Sequence, residues 1–270
     1  NLGFFGNIGY DFSKNTTLSV YGRLDNHKTT ETNNTYKINL SKYFNKFNFS
    51  FTHSTGLRNP SLYELYGNNG RSDAYKHVAN PNANPEKSKT NEFKIEYLIN
   101  KKLSLENIFY KSTIEDALLY NGNYNGGSGY TNENSDLNQK GIESAFTFKS
   151  RNQQYKLYNT ISSSRQADGS RQLNRPDHTY GISYNIDIGN SFFGPFSLYY
   201  NYKHYGKSFD YAPSVTKVDS TDIMNMSISR KTNFGIFSIN IDNLLDEKYQ
   251  RPYGYGQNNR KIRFGFKSFF

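Results

Sequence analysis

The sequence has no cysteine and no tryptophan, and only two methionines and seven prolines in 270 residues. A soluble enzyme of this length would draw its interior mainly from Leu, Val, Ile, Ala and Met. Here 24 tyrosines and 21 phenylalanines take much of that place. The lack of cysteine means the fold does not rely on disulfides, which suits an oxidising compartment but by itself excludes nothing. No stretch approaches the roughly 18 apolar residues of a membrane helix, so a bilayer could be crossed only by strands. The first residues, Asn1-Leu2-Gly3-Phe4-Phe5-Gly6, offer no basic or apolar leader and open directly on a strand pattern. We therefore read the chain as beginning inside a longer protein.

Aromatic residues make up 17 % of the chain, although its mean hydropathy is −0.85. Such polarity would suggest disorder, and such aromatic content argues against it. A wall that is apolar on one face only reconciles the two. Alternation of period two recurs in segments of about 9–11 residues, the length of a tilted membrane strand. Phe4, Gly6, Ile8, Tyr10 and Phe12 oppose Phe5, Asn7, Gly9 and Asp11. Tyr180, Ile182, Tyr184, Ile186 and Ile188 form the cleanest apolar stripe, which Phe196, Leu198, Tyr200 and Tyr202 answer after a turn. About thirteen strands follow from this pattern, with short turns alternating with long polar loops. The segment from Tyr120 to Tyr130 reads as a mobile loop tip, and no helix of useful length is expected. An odd number of up-and-down strands cannot close as an antiparallel barrel, so the remaining strands are expected upstream. The net charge of +10 is dispersed over strand ends and loops without a basic stripe, which gives no support to nucleic acid as a partner. It suits a Lys- and Asn-rich background or attraction to anionic headgroups or an anionic ligand.

Catalytic constellations are weak. His53 and Ser54 are neighbours, and neighbours on a strand point to opposite faces and cannot share a proton. His27, His77, His178 and His204 have no partner at metal-site spacing, so no metal site is expected. Asn132-Glu133-Asn134-Ser135-Asp136 reads as a solvated loop before it reads as a calcium site.

Two half-motifs flank the longest loop. The first is Gly56-Leu57-Arg58-Asn59-Pro60-Ser61-Leu62-Tyr63-Glu64-Leu65-Tyr66, and the second is Asn80-Pro81-Asn82-Ala83-Asn84-Pro85-Glu86-Lys87-Ser88. Together they resemble TonB-dependent outer-membrane receptors, as do Lys140-Gly141-Ile142-Glu143 and the run from Ile241 to Tyr249. Phe270, closing an aromatic strand, resembles the assembly signal of outer-membrane barrels, although Ser268 stands where that signal has an aromatic residue. Independently of the resemblance, Asn243 and Asp246 read as turn and strand-end hydrogen bonders, and Glu143 as a charge facing the lumen.

The resemblance implies an all-β fold, an antiparallel transmembrane β-barrel. Residues 1–270 would be its incomplete C-terminal portion, about thirteen strands of some twenty-two around a plug. The implied function is TonB-energised uptake of a scarce large ligand, a ferric siderophore or cobalamin, with a slight leaning to cobalamin. A diffusion porin and an outer-membrane hydrolase are the rivals. The implied partners are the TonB complex acting through an upstream plug, the barrel assembly machinery, outer-membrane lipid and lipopolysaccharide. No cofactor is expected. Loop residues suited to stacking on a ligand or forking onto its acids are Arg58, Tyr63, Tyr66, Arg71, Tyr75, Tyr120, Tyr124, Tyr130, Arg165, Arg171, Arg175, Tyr211, Tyr253 and Tyr255. The alternative for the tyrosines is an interfacial girdle. The loops 56–87, 113–137 and 252–259 are expected to share one extracellular face.

Overall fold

The computed structural model describes residues 2–26, 32–68, 76–132, 136–166, 169–189, 191, 194–210, 216–251 and 253–268. The strands are β1 (Leu2–Ser13), β2 (Thr16–Asn26), β3 (Asn33–Phe44), β4 (Phe47–Arg58), β5 (Glu86–Leu98), β6 (Leu103–Glu115), β7 (Leu118–Tyr124), β8 (Gly127–Asn132) and β9 (Leu137–Lys149). They continue as β10 (Gln153–Arg165), β11 (His178–Ile188), β12 (Phe196–Tyr205), β13 (Ser208–Asp210), β14 (Thr216–Val218), β15 (Thr221–Lys231), β16 (Gly235–Asp242) and β17 (Lys261–Ser268). Thirteen of them form one sheet in the order β1 to β6, β9 to β12, β15 to β17, with β7–β8 and β13–β14 as separate two-stranded ribbons. A single helical turn, α1 (Leu62–Tyr66), stands in the first long loop.

Two compact units divide the chain. One is Asn1–Lys94, Phe109–Lys140 and Ser164–Ser170, and the other is Ile95–Ile108, Gly141–Ser163 and Arg171–Phe270. In the first unit the register lines up Tyr10, Leu18, Leu40 and Phe51 in one apolar row. The adjacent residues Ser19, Asn39 and Thr52 form a polar row, in which Asn39 Nδ2 donates to Ser50 Oγ at 2.6 Å and Thr52 Oγ1 at 2.8 Å. In the second unit Leu157, Ile182, Tyr202 and Met224 lie side by side, and so do Lys156, Ser183, Asn201 and Asn225 on the other face. The stripe is answered after the turn as expected, and the register sets Ile182, Tyr184, Ile186 and Ile188 opposite Tyr202, Tyr200, Leu198 and Phe196.

What this sheet lacks is a core. The buried hydrophobic residues among those described are Leu65, Ala83, Ala117, Leu118, Leu137 and Val218, while strand residues such as Phe4, Ile8 and Phe264 are 63 %, 70 % and 80 % exposed. An apolar face this extensive would associate or precipitate in water and needs another apolar medium against it. No helix among the described residues is long and apolar enough to cross a membrane, and the elements suited to crossing are strands.

His53 pairs opposite Ile38 on the apolar side and Ser54 opposite Lys37 on the polar side, so the two do not meet. His53 instead lies between Tyr36 Oη at 3.3 Å and Asn91 Oδ1 at 2.8 Å.

The connection from β16 to β17 is held by Asn243, which is only 5 % exposed. Its Nδ2 donates to the carbonyls of Glu247 and Asn258, its Oδ1 accepts from the Glu247 amide, and its own amide donates to Asn225 Oδ1. Asp246 Oδ1 accepts from the Arg260 amide at 2.7 Å. Both residues have positive φ, 50° and 56°, a region that Asn and Asp tolerate better than other side chains. Their reading as turn and strand-end hydrogen bonders thus holds. Asn243→Ala should lower stability by about 2 kcal/mol, because the part-buried bonds to the Glu247 and Asn258 backbone are lost together. Urea unfolding of the protein in lipid vesicles measures it, and Asn243→Gly, which keeps the backbone freedom, should recover little.

Candidate ligand-binding site

In the first unit the two half-motifs are bonded to each other. Arg58 ends β4, and its Nη1 donates to both Glu64 oxygens at 3.1 Å while its Nε donates to Glu86 at the start of β5. A side chain at Gly56 would begin 2.6 Å from Ser88 Oγ, so the glycine gives room for the second half-motif to lie alongside the first. Ser61 and Glu64 form a capping box: the Glu64 amide donates to Ser61 Oγ and the Ser61 amide to Glu64 Oε2. The same Glu86 also accepts from the Leu118 amide at 2.7 Å and so ties in the next long connection.

That connection is an ordered hairpin and not the mobile tip that its glycine content suggested. β7 and β8 turn at Asn125-Gly126, with φ of 46° and 76°, as a two-residue turn with left-handed central positions requires. Val78 N donates to Ser128 O at 2.6 Å, Asn80 Nδ2 to Tyr130 O at 2.9 Å, and Asn132 Nδ2 to the carbonyls of Asn84 and Asp116. Leu65, Ala83 and Leu118 close a small apolar centre against Tyr130. On it sits a stack of rings: Tyr63 lies over His77 with centroids 4.1 Å apart, Tyr130 is tilted at 5.2 Å from His77, and Tyr120 stands edge-on to Tyr130 at 5.8 Å. His77 is 3 % exposed, whereas Tyr63, Tyr66 and Tyr120 are exposed.

Burial of Glu64 works against its ionisation. The Ser61 backbone and hydroxyl and the Arg58 guanidinium outweigh it and hold the carboxyl below the ordinary glutamate range. Burial pushes the Tyr130 phenol up. A carboxyl whose value is lowered on folding adds stability above its unfolded value, about pH 4.3, and loses it as pH falls through the folded value. The near-ultraviolet tyrosine signal of this cluster is therefore expected to fall in acid below about pH 4. Glu64→Gln should remove that acid transition, and persistence of the transition in the variant would assign it elsewhere.

In the second unit a cavity of about 540 Å³ is bordered by Lys217, Thr221, Lys248, Tyr249, Tyr253 and Gln257, among others. Asp210 fixes its neighbourhood, accepting from the Tyr253 amide at 2.8 Å and from Asn174 Nδ2 at 3.4 Å. Arg251 lies over the Tyr205 ring at 4.6 Å and donates to the Gly206 carbonyl at 2.9 Å. Burial lowers the Arg251 pKa and raises that of Tyr249. Arg171 pairs with Asp177 and lies 5.3 Å from the Phe209 ring centre.

The family model described as "TonB dependent receptor-like, beta-barrel" matches residues 1–244. The chain belongs to this family. No curated protein matches the sequence. Among solved structures it is similar to the copper transporter OprC, with a TM-score of 0.72 and 16 % identity over 96 % of this chain and 46 % of that one. The siderophore receptor PirA from Acinetobacter baumannii gives 0.72 and 13 % over 96 % and 44 %. The FrpB iron transporter from Neisseria meningitidis gives 0.71 and 14 % over 97 % and 44 %. The chain thus spans less than half the length of each of these structures, and at such identities they show the fold alone.

Within this TonB-dependent receptor barrel, the structure brings together Arg58, Tyr63, Tyr120 and Tyr130, four of the loop residues suited to contacting a ligand. Tyr66 is exposed on the same helical turn, and the Tyr124 ring lies within the β7–β8 hairpin beside Gly129. Arg165 ends β10, Arg175 is exposed, and Tyr253 and Tyr255 belong to the second unit with Arg171. Arg71, Tyr75, Tyr211 and Phe270 lie outside the described residues. Glu143, read as facing the lumen, borders a cavity of about 350 Å³ with Glu106, Lys156, Tyr158 and Lys203, on the polar side of the wall. Sequence reasoning missed His77, Glu64 and Glu86 as parts of the site. The capping-box spacing of Ser61 and Glu64 was a local signal for the second of these.

Proposed function

We propose that residues 1–270 are the C-terminal part of an outer-membrane receptor barrel that captures a ferric siderophore or cobalamin for TonB-energised uptake. The observation that carries this reading is the braced aromatic cluster of the first unit. A channel rim needs only a wet, charged constriction, whereas these two connections present exposed Tyr63, Tyr66 and Tyr120 above a base held by Arg58, Glu64 and Glu86. Rigid exposed tyrosines suit a large organic ligand, because they offer flat contact area at low conformational cost. In this reading the long connections face the outside of the cell, the short turns face the periplasm, and the apolar rows meet outer-membrane lipid. The names of the similar structures, a copper transporter, a siderophore receptor and an iron transporter, agree with a metal-bearing cargo. Contact with TonB through an upstream plug, insertion by the assembly machinery and packing against lipopolysaccharide belong to the same proposal.

Equilibrium binding of cobalamin and of a panel of ferric siderophores to the full-length protein tests it. One of them should saturate. If none does, and small solutes pass in proportion to concentration, the porin reading replaces this one.

A further inference from the structure

The apolar face of the second unit is interrupted at one end of β15. Met224, Met226 and Ile228 follow one another on that face, and the next residue in phase is Arg230, directly opposite Phe237 of β16, which in turn faces Phe266 of β17. Beside it is a shallow cavity of about 300 Å³ whose walls are Ile228, Phe237, Ile239 and Phe264, with Arg230 at the border. Arg230 is exposed, and no carboxylate among the described residues forms an ion pair with it. Its guanidinium lies against Gly194, where any side chain would begin 3.0 Å from Nη2, so the glycine leaves the group its position. The neighbouring Lys231 points to the opposite face and has its own partner.

A basic side chain on the lipid side of a barrel costs most at mid-bilayer and little at the interface, where it can meet a headgroup. Arg230 is one residue from the end of its strand, next to the short turn 232–234, and so falls at headgroup level. We propose that this notch is a binding site for an anionic glycerophospholipid. One acyl chain lies along Ile228, Ile239 and the rings of Phe237 and Phe264, and the phosphate takes the fork of Arg230. The guanidinium presents paired donors that match phosphate oxygens, and the apolar notch fits a chain where a free phosphate would find no further partner. The proposal rests on the orientation given above, in which the short turns face the phospholipid leaflet, and needs neither ligand nor TonB.

The test is native mass spectrometry of the full-length receptor released from bilayers of equal phosphatidylglycerol and phosphatidylethanolamine, counting lipids retained on molecules whose electrophoretic mobility shifts on heating. The wild type should retain phosphatidylglycerol about fivefold over phosphatidylethanolamine, the preference that one basic group near an anionic surface provides. Arg230→Gln should erase the preference, Arg230→Lys should keep part of it, and Lys231→Gln should leave it intact. Excess inorganic phosphate should not displace the lipid. No preference in the wild type, an unchanged preference in Arg230→Gln, an equal loss in Lys231→Gln, or displacement by phosphate would each overturn the site. Since ligand binding is not the readout, failure here leaves the receptor reading standing.

Discussion

Ile182→Arg is expected to block assembly of the barrel, whereas Ser183→Arg, one residue along, is expected to be tolerated. Ile182 lies in a row with Leu157, Tyr202 and Met224, so a guanidinium there would have to enter lipid among apolar neighbours. The cost for Arg near mid-bilayer on such a wall is about 2–4 kcal/mol. Ser183 lies between Lys156 and Asn201 on the polar face, where a further basic group meets water and hydrogen-bonding partners. The fraction of heat-modifiable protein in the outer membrane gives the comparison. Equal tolerance, or equal failure, would mean that the two faces have been assigned wrongly.

The second large effect is expected from Glu86→Ala. This carboxylate joins three parts of the two long connections, since it accepts from Arg58 and from the Leu118 amide and stands at the start of β5. Without it Arg58 keeps Glu64 alone, and the β7–β8 hairpin loses its tie at the first residue of β7. Buried or half-buried charge-assisted bonds contribute about 1.5–3 kcal/mol. Affinity for a saturating ligand should therefore fall by at least about tenfold, the equivalent of 1.4 kcal/mol. Hydrogen exchange at the Leu118 amide should quicken, and the unfolding of the strands should change little. Lys89→Ala is the matched control, because it removes an ion pair with Glu115 that is largely exposed and worth at most about 1 kcal/mol. Similar loss of affinity in both variants would show that Glu86 has no special place in the site.

The wall was legible in the sequence because a strand writes its facing locally, every second residue. The thirteen strands of the main sheet, the common facing of the stripe from Ile182 to Ile188 and the opposed directions of His53 and Ser54 all follow from that period. The loop interiors were less legible. The β7–β8 hairpin carried a recognisable turn signal at Asn125-Gly126, but a stretch rich in glycine and asparagine also reads as a tip. The helical turn α1 is too short for any periodicity to announce it, and only its capping box marks it. Arg58 and Glu86 stand 28 residues apart, and Tyr63 and His77 meet across an insert, so neither pairing leaves a local pattern. Arg230 was hidden for the opposite reason: it continues the alternation in place while changing its chemistry.

The central claim, energy-coupled capture by a receptor barrel, is tested most directly by uptake in whole cells. Cells carrying the full-length protein would be given labelled cobalamin or the ferric siderophore that saturates in the binding assay, with TonB present and with TonB deleted. The account predicts binding in both strains and accumulation only with TonB, accompanied by no leak of small solutes. Accumulation that is independent of TonB and proportional to external concentration would contradict it.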